Sequence, residues 1–125
     1  MTNKVLIVDD SRVSRIFIRN FIRQLQPQWQ IFEADGGKAA IALAAEHRFY
    51  AVSLDYNMPE MNGFEVADRL KAIDPHCFIG LLTANVQRST QEQAQAAGLY
   101  FYKKPINLEM MQQMMMDVEA YYAAV

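Results

Sequence analysis

The sequence predicts an α/β protein: a doubly wound, five-stranded, mostly parallel sheet with five helices on both of its faces. Three observations predict it. Short apolar runs, uninterrupted at Val5–Val8 in the form of a strand covered on both faces, alternate five times along the chain with stretches whose apolar residues recur at helical spacing. Each apolar run is followed by a polar residue or a turn. Adjacent parallel strands need a crossover of about a dozen residues or more, and the intervening helices supply it.

Residues 5–8 form the first strand, Val5-Leu6-Ile7-Val8, which Asp9-Asp10-Ser11 ends. A helix over 12–25 follows, with Ser11 as its N-cap, Pro27 just past its end, and Val13, Ile16, Phe17, Phe21 and Leu25 as its apolar positions. Residues 29–34 read as the second strand. Gly36-Gly37 opens a helix that carries Ala39, Ala40, Leu43 and Ala44 and ends near His47. The third strand, 50–54, runs into Asp55. A loop over 59–63 leads to a helix bearing Phe64, Val66, Ala67, Leu70 and Ile73, closed by Asp74-Pro75. Residues 77–82 are the fourth strand, stopped by Thr83. The polar helix over 88–97 ends at Gly98, a usual residue just past a helix C-terminus. A short aromatic strand, 99–103, passes through Lys104-Pro105 into a last helix from Asn107 to about Tyr122.

Composition narrows the function classes. At 125 residues the chain has the size of one domain, and 52% hydrophobic against 21% charged residues provide a core that a disordered chain lacks. A net charge of -2 removes the generally cationic surface of a non-specific nucleic-acid binder. The single Cys77 forms no internal disulfide and no multi-thiolate metal site, and it reads as a buried small hydrophobe. No run approaches the roughly 18 apolar residues that span a bilayer, and no leader is recognised, so a reducing, cytoplasmic location is expected. His47 and His76, at element ends, read as surface residues.

Right-handed crossovers place the C-terminal ends of all strands on one edge, where ligands of such sheets bind. Asp9, Asp10, Asp55, Thr83 and Lys104 all fall there. Crowded carboxylates repel unless a cation sits among them, and oxygen ligands suit Mg²⁺. A lysine and a threonine hydroxyl beside them suit a transferring phosphoryl group. The chemistry implied is phosphoryl transfer onto a carboxylate, most simply Asp55. The plain alternative takes Asp9-Asp10 as a strand-end turn, Thr83 as a cap, and Lys103 and Lys104 as a solvated pair, of which only Lys104 precedes a proline.

Asp9-Asp10, Asp55 with Met58-Pro59 and Gly63, Thr83-Ala84 and Lys104-Pro105 resemble, in order and spacing, the motif set of the receiver domain of two-component response regulators. The resemblance runs over essentially all 125 residues and is read as one domain, 1–125, in the flavodoxin-like (βα)5 arrangement. It implies that Asp55 accepts a phosphoryl group from a histidine kinase or a histidine phosphotransfer protein. Asp9, Asp10, Asp55 and the backbone carbonyl of Asn57 would hold Mg²⁺, and Thr83 and Lys104 would contact the phosphoryl oxygens. Lys104-Pro105 would carry a cis bond. Phe101 would be the switch residue that follows Thr83, with phenylalanine in place of the tyrosine many members carry; Tyr100 and Tyr102 point elsewhere along the strand. Asn57 and Asn85 occupy the positions that influence phosphate lifetime.

The resemblance also implies a stand-alone signalling switch. Its only chemistry would be self-phosphorylation from small donors and self-dephosphorylation, and its output would pass to a downstream protein, with a phosphatase as a further partner. No direct nucleic-acid contact and no membrane insertion are expected. Arg19-Asn20 and the alanine-rich helix after Thr83 look more like the chemotaxis type. A phosphate-independent interaction module is one alternative. A phosphatase of the haloacid dehalogenase type is another, although that family wants an aspartate where Asn57 stands.

Two helix surfaces stand out. At about 100° per residue, Arg12, Arg15, Arg19 and Arg23 share an arc of roughly 80°, either a solvated face or a dock for a phosphodonor or phosphatase. On the last helix Leu108, Met111, Met115, Val118 and Tyr122 make a core stripe. Met110, Met114 and Tyr121 lie beside it, as an output or dimer face or as part of a wide buried face.

Overall fold

A computed structural model describes residues 2–85 and 87–124. Its elements run β1 (Lys4–Val8), α1 (Arg12–Leu25), β2 (Gln30–Ala34), α2 (Gly37–Glu46), β3 (Ala51–Asp55), α3 (Gly63–Ile73), β4 (Phe78–Thr83), α4 (Arg88–Ala96), β5 (Tyr100–Lys103) and α5 (Leu108–Ala123). The strands form one parallel sheet in the order β2-β1-β3-β4-β5. The chain leaves β1 toward one edge and returns through β3 toward the other. The carboxyl ends of β1 and β3 therefore flank the point where strand order reverses.

Alternation along each strand divides the core. Leu6, Val8, Val52, Leu54, Ile79 and Leu81 face α2, α3 and α4, where Ala40, Val66, Leu70 and Ala94 meet them. Val5, Ile7, Ala51, Phe78 and Leu82 face α1 and α5, against Ile18, Ile22, Met111 and Val118. On this second side Gly80 is obligatory, because a Cβ there would lie 2.9 Å from the Tyr102 ring and 3.2 Å from the Met114 methyl. At the far end of the sheet the Tyr122 hydroxyl donates to the Tyr50 carbonyl and accepts from the Phe78 N–H at 3.3 Å, tying α5 to β3 and β4.

Helix ends follow their caps. Ser11 accepts from the Ser14 N–H, Asn107 accepts from the Met110 N–H, and Asn62 forms a reciprocal capping box with Glu65. Gly98 adopts φ +76° after α4. Asp55 and Thr83 are the last residues of their strands rather than the first beyond them.

The predicted inner face of α1 needs correction. Ile18 and Ile22 are its buried residues, flanked by Phe21 and Leu25, whereas Val13 and Phe17 are 62% and 53% exposed. Apolar residues surround too much of this helix for spacing to choose a face, and packing chooses the stripe that includes the β-branched pair Ile18 and Ile22. The second stripe of α5 resolves to the wide buried face: Met114 is 2% exposed, and Met110 and Tyr121 pack against the same core. A dimer surface built on Met114 is therefore excluded, because the sheet already covers that side chain. Exposed methionine on α5 is instead Met116, at 64%.

Truncation separates the two kinds of methionine. Met114→Ala should lower stability by about 2 to 5 kcal/mol, and Met116→Ala should change it by less than about 0.5 kcal/mol, both measured by urea denaturation.

Candidate functional site

Four strand ends build the site. Asp9 follows β1, whose backbone pairing continues one residue further as the Asp9 N–H donates to the Ala34 carbonyl at 3.1 Å. Asp55 closes the central strand β3 and Thr83 closes β4, and all three side chains are buried. The Lys104 N–H donates to the Thr83 carbonyl at 2.9 Å, extending the β4–β5 ladder, and the Lys104-Pro105 bond that follows is cis, as expected.

These placements bring the carboxylates together. One oxygen from each of Asp9, Asp10 and Asp55 lies within 4.8 Å of the other two, with Asp10 on the exposed side. Lys104 Nζ reaches Asp55 Oδ1 at 2.8 Å and stands 4.0 Å from Asp9 Oδ2. Asp9 Oδ1 accepts the Ser11 N–H at 2.9 Å, while its Oδ2 is buried with no hydrogen-bond partner among the described residues. Burial, more than any neighbour, raises the Asp9 carboxyl above its ordinary value; the charges of Asp55 and Asp10 push the same way, and the Ser11 N–H and Lys104 oppose them.

A close backbone approach shapes the opposite wall. Gly63 donates its N–H to the Tyr56 carbonyl at 2.9 Å. A Cβ at Gly63 would lie 2.9 Å from Tyr56 Cα, 3.1 Å from the Asp55 carbonyl and 2.6 Å from a Leu81 methyl. Only glycine lets α3 begin so near the end of β3. The intervening loop holds Asn57, exposed, and Glu60, which takes φ 71° without being glycine.

Thr83 Oγ1 accepts the Asn85 N–H at 3.0 Å, so its own proton remains available to donate. Phe101 is half-buried and packs on the α2–α4 side of the core, whereas Tyr100 and Tyr102 belong to the α1–α5 side, the opposed directions expected of strand neighbours. Lys103 is exposed and only Lys104 enters the site, as expected. Cys77 is buried, and burial pushes its thiol up to about 12. His76 is exposed, but His47 is only half-exposed, its ring 4.5 Å from that of Phe32 and its Nδ1 3.2 Å from Lys4 Nζ.

The arginine stripe divides. Arg15 and Arg19 pair with the two carboxylate oxygens of Glu33 at 3.1 and 3.0 Å, while Arg12 and Arg23 are exposed. Glu33 is a residue that sequence reasoning passed over, since nothing local links it to a helix that ends several residues earlier. The Asn62–Glu65 capping box was legible, as an asparagine three residues before a glutamate at a helix start.

The family described as "Response regulator receiver domain" matches residues 5–116 of the chain. Sporulation initiation phosphotransferase F of Bacillus subtilis is 30% identical over 110 residues, which cover 87% of this chain and 87% of that protein. Virulence sensor protein BvgS of Bordetella bronchiseptica is 32% identical over 125 residues; these cover 94% of this chain but 10% of the sensor, so the chain spans about a tenth of the length of that relative. Among solved structures, chemotaxis protein CheY4 of Vibrio cholerae superposes with a TM-score of 0.85 at 27% identity, covering 94% of this chain and 99% of the other. A receiver domain protein from Methanospirillum hungatei shares the fold with a TM-score of 0.89 at 16% identity, covering 100% of each chain.

Burial above all, and then the charges of Asp55 and Asp10, disfavour the Asp9 anion, so neutralising it should help the metal-free fold. In chelator at neutral pH, Asp9→Asn should be about 1 to 3 kcal/mol more stable than the parent in thermal melts. Because the folded carboxyl holds its proton more tightly than the unfolded one, that advantage should shrink as pH falls from neutral toward the ordinary carboxylate range and should be gone below it.

Proposed function

The chain belongs to the response regulator receiver domain family, and on that premise we propose that Asp55 is its phosphoacceptor. The observation that carries the assignment is the contact of Lys104 Nζ with Asp55 Oδ1 at 2.8 Å, beside two further carboxylates at the switch point of the sheet. Asp55 alone of the three stands on the central strand with a lysine directly on its carboxylate.

Receiver domains bind Mg²⁺ at an acidic pocket, and the residues here fit that ion. The donors are all oxygen, three carboxylates converge within 4.8 Å, and among the described residues Asp9 Oδ2 has no hydrogen-bond partner to lose. We assign Asp9, Asp10, Asp55 and the Asn57 backbone carbonyl as the ion's protein ligands. Bound there, Mg²⁺ would supply positive charge to the phosphoryl oxygens and relieve the repulsion among the carboxylates.

The remaining chemistry belongs to the chain. An Asp55 oxygen attacks phosphorus, a P–O bond forms, and the P–N bond of a donor phosphohistidine breaks with its electron pair leaving on the imidazole. Lys104 and the Thr83 hydroxyl then hold the phosphoryl oxygens. Phe101 follows Thr83 and carries the change to the α4–β5 surface. In this reading the chain takes and loses phosphoryl groups and performs no other catalysis, and it signals by contact with a downstream protein. Among the described residues no helix is long and apolar enough to cross a membrane. That and the lone buried thiol of Cys77 support a cytoplasmic site of action.

The N-terminal end of α1 adjoins Asp9 and Asp10, so its surface is one on which a phosphodonor protein could dock. With Arg15 and Arg19 committed to Glu33, the exposed pair Val13 and Phe17 on α1 is the surface we assign to meet it. Large apolar side chains at this exposure favour a protein partner.

Incubation with acetyl phosphate and Mg²⁺ should add a phosphoryl mass to the intact parent and none to Asp55→Ala; labelling of Asp55→Ala at the parental rate would refute the assignment. Phe17→Ala should slow transfer from a histidine-phosphorylated donor protein by roughly tenfold, the loss of a contact centre, while labelling by acetyl phosphate stays at the parental rate.

A further inference from the structure

We propose that Arg15 is a positioning residue for the acidic site and that Glu33, on the edge strand, is the anchor that makes it one; the inference rests on the receiver reading of Asp9 and Asp10. Arg15 spans two elements. Its Nη1 donates to the backbone carbonyl of Asp9 at 2.7 Å, and its Nε donates to Glu33 Oε1 at 3.1 Å. Glu33 Oε2 takes Arg19 Nη1 at 3.0 Å. The residue after Glu33 is Ala34, whose carbonyl accepts the Asp9 N–H at 3.1 Å.

These bonds close a ring. From Asp9 it passes through its N–H to Ala34, along one peptide to Glu33, across the carboxylate to Arg15, and back to the Asp9 carbonyl. Both backbone polar groups of Asp9 are thereby fixed, while Ser11 fixes one of its carboxylate oxygens. The other oxygen is buried and has no hydrogen-bond partner among the described residues. Among the described residues the cation nearest that oxygen is Lys104 at 4.0 Å, and the charges of Asp55 and Asp10 oppose its own. Its position must come from the backbone, and Arg15 is the side chain that grips the backbone there.

Arginine suits the task because one planar guanidinium presents several donors in fixed directions, so it can bond a carboxylate and a carbonyl together. Its side chain is only 15% exposed. A stripe that served docking alone would leave this guanidinium in solvent. A lysine in its place would keep the charge and lose the span, and glutamine at Glu33 would keep an acceptor and lose the ionic pairing.

The full chain carries the test. Isothermal calorimetry gives the Mg²⁺ affinity, and amide exchange of Ser11, measured without Mg²⁺, reports the turn itself. Arg15→Lys and Glu33→Gln should each weaken Mg²⁺ binding by roughly tenfold, the low end for removing an outer-shell support. Each should also speed Ser11 exchange, and the double variant should bind no more weakly than the poorer single, since the two residues act as one unit. Glu46→Gln, which removes the same single negative charge as Glu33→Gln from an exposed residue at the end of α2, should bind as the parent does; a loss equal to that of Glu33→Gln would reduce the effect to net charge and overturn the proposal. Parental Mg²⁺ affinity in folded Arg15→Lys and Glu33→Gln would overturn it and leave the receiver reading standing. A parent that binds no Mg²⁺, or an Asp9→Asn variant that binds it undiminished, would overturn the receiver reading itself. Should Arg15→Lys fail to fold, Glu33→Gln decides alone.

Discussion

Putting like charges together where water is scarce is the constraint around which this molecule is arranged. Asp9 and Asp55 are both buried, and Asp10 completes the cluster on its open side. Such a cluster is unfavourable by itself, so the fold has to bear it with rigid backbone. Each carboxylate stands at or just past the end of a strand whose apolar residues are locked between two helical layers. The parallel sheet, the switch in strand order and the close approach of Gly63 to the Asp55–Tyr56 backbone all place charged groups without depending on those groups for attraction. Lys104 is the exception, a cation supplied across the sheet from the far edge strand.

What the chain declares in its sequence follows from how local each signal is. Strands β1, β3 and β4 are short apolar runs between polar stops, and their residues are legible because both faces are buried and no alternative periodicity competes. The acidic and basic site residues are legible for the same reason, since each directly adjoins a run whose direction is already known. The inner face of α1 was not legible: Val13, Ile16 and Phe17 are as apolar as Ile18 and Ile22, and only the sheet decides between them. Met114 was undecided because methionine fits a core and a contact surface equally well. The ring through Arg15 and Glu33 joins residues on different elements, so nothing in sequence spacing could announce it.

The relatives place this arrangement in two sizes of protein. The sporulation phosphotransferase is matched over most of its length, whereas the virulence sensor is matched over about a tenth. In this chain the candidate site is self-contained, with its carboxylates, lysine and threonine all from one sheet edge. Communication outward then falls to surfaces, and here the two helical layers differ. The α1–α5 layer is dense with aromatic and methionine side chains, while α4 buries only Thr90 and Ala94. A helix held by so little apolar area is the element most readily displaced.

The four residues of β5 serve three directions at once. Phe101 packs on one side of the sheet; Tyr102 fills the other, over Gly80, with its hydroxyl donating to Asp117 of α5 at 2.6 Å; and the chain then turns Lys104 onto Asp55. Such a strand tolerates no insertion. A slip of one residue would exchange the faces of Phe101 and Tyr102, drive a bulky ring against the wrong layer, and carry the lysine out of reach of its carboxylate. Length in this segment is therefore as tightly constrained as the identity of any acidic residue, and substitutions should be borne there far more readily than a single deletion.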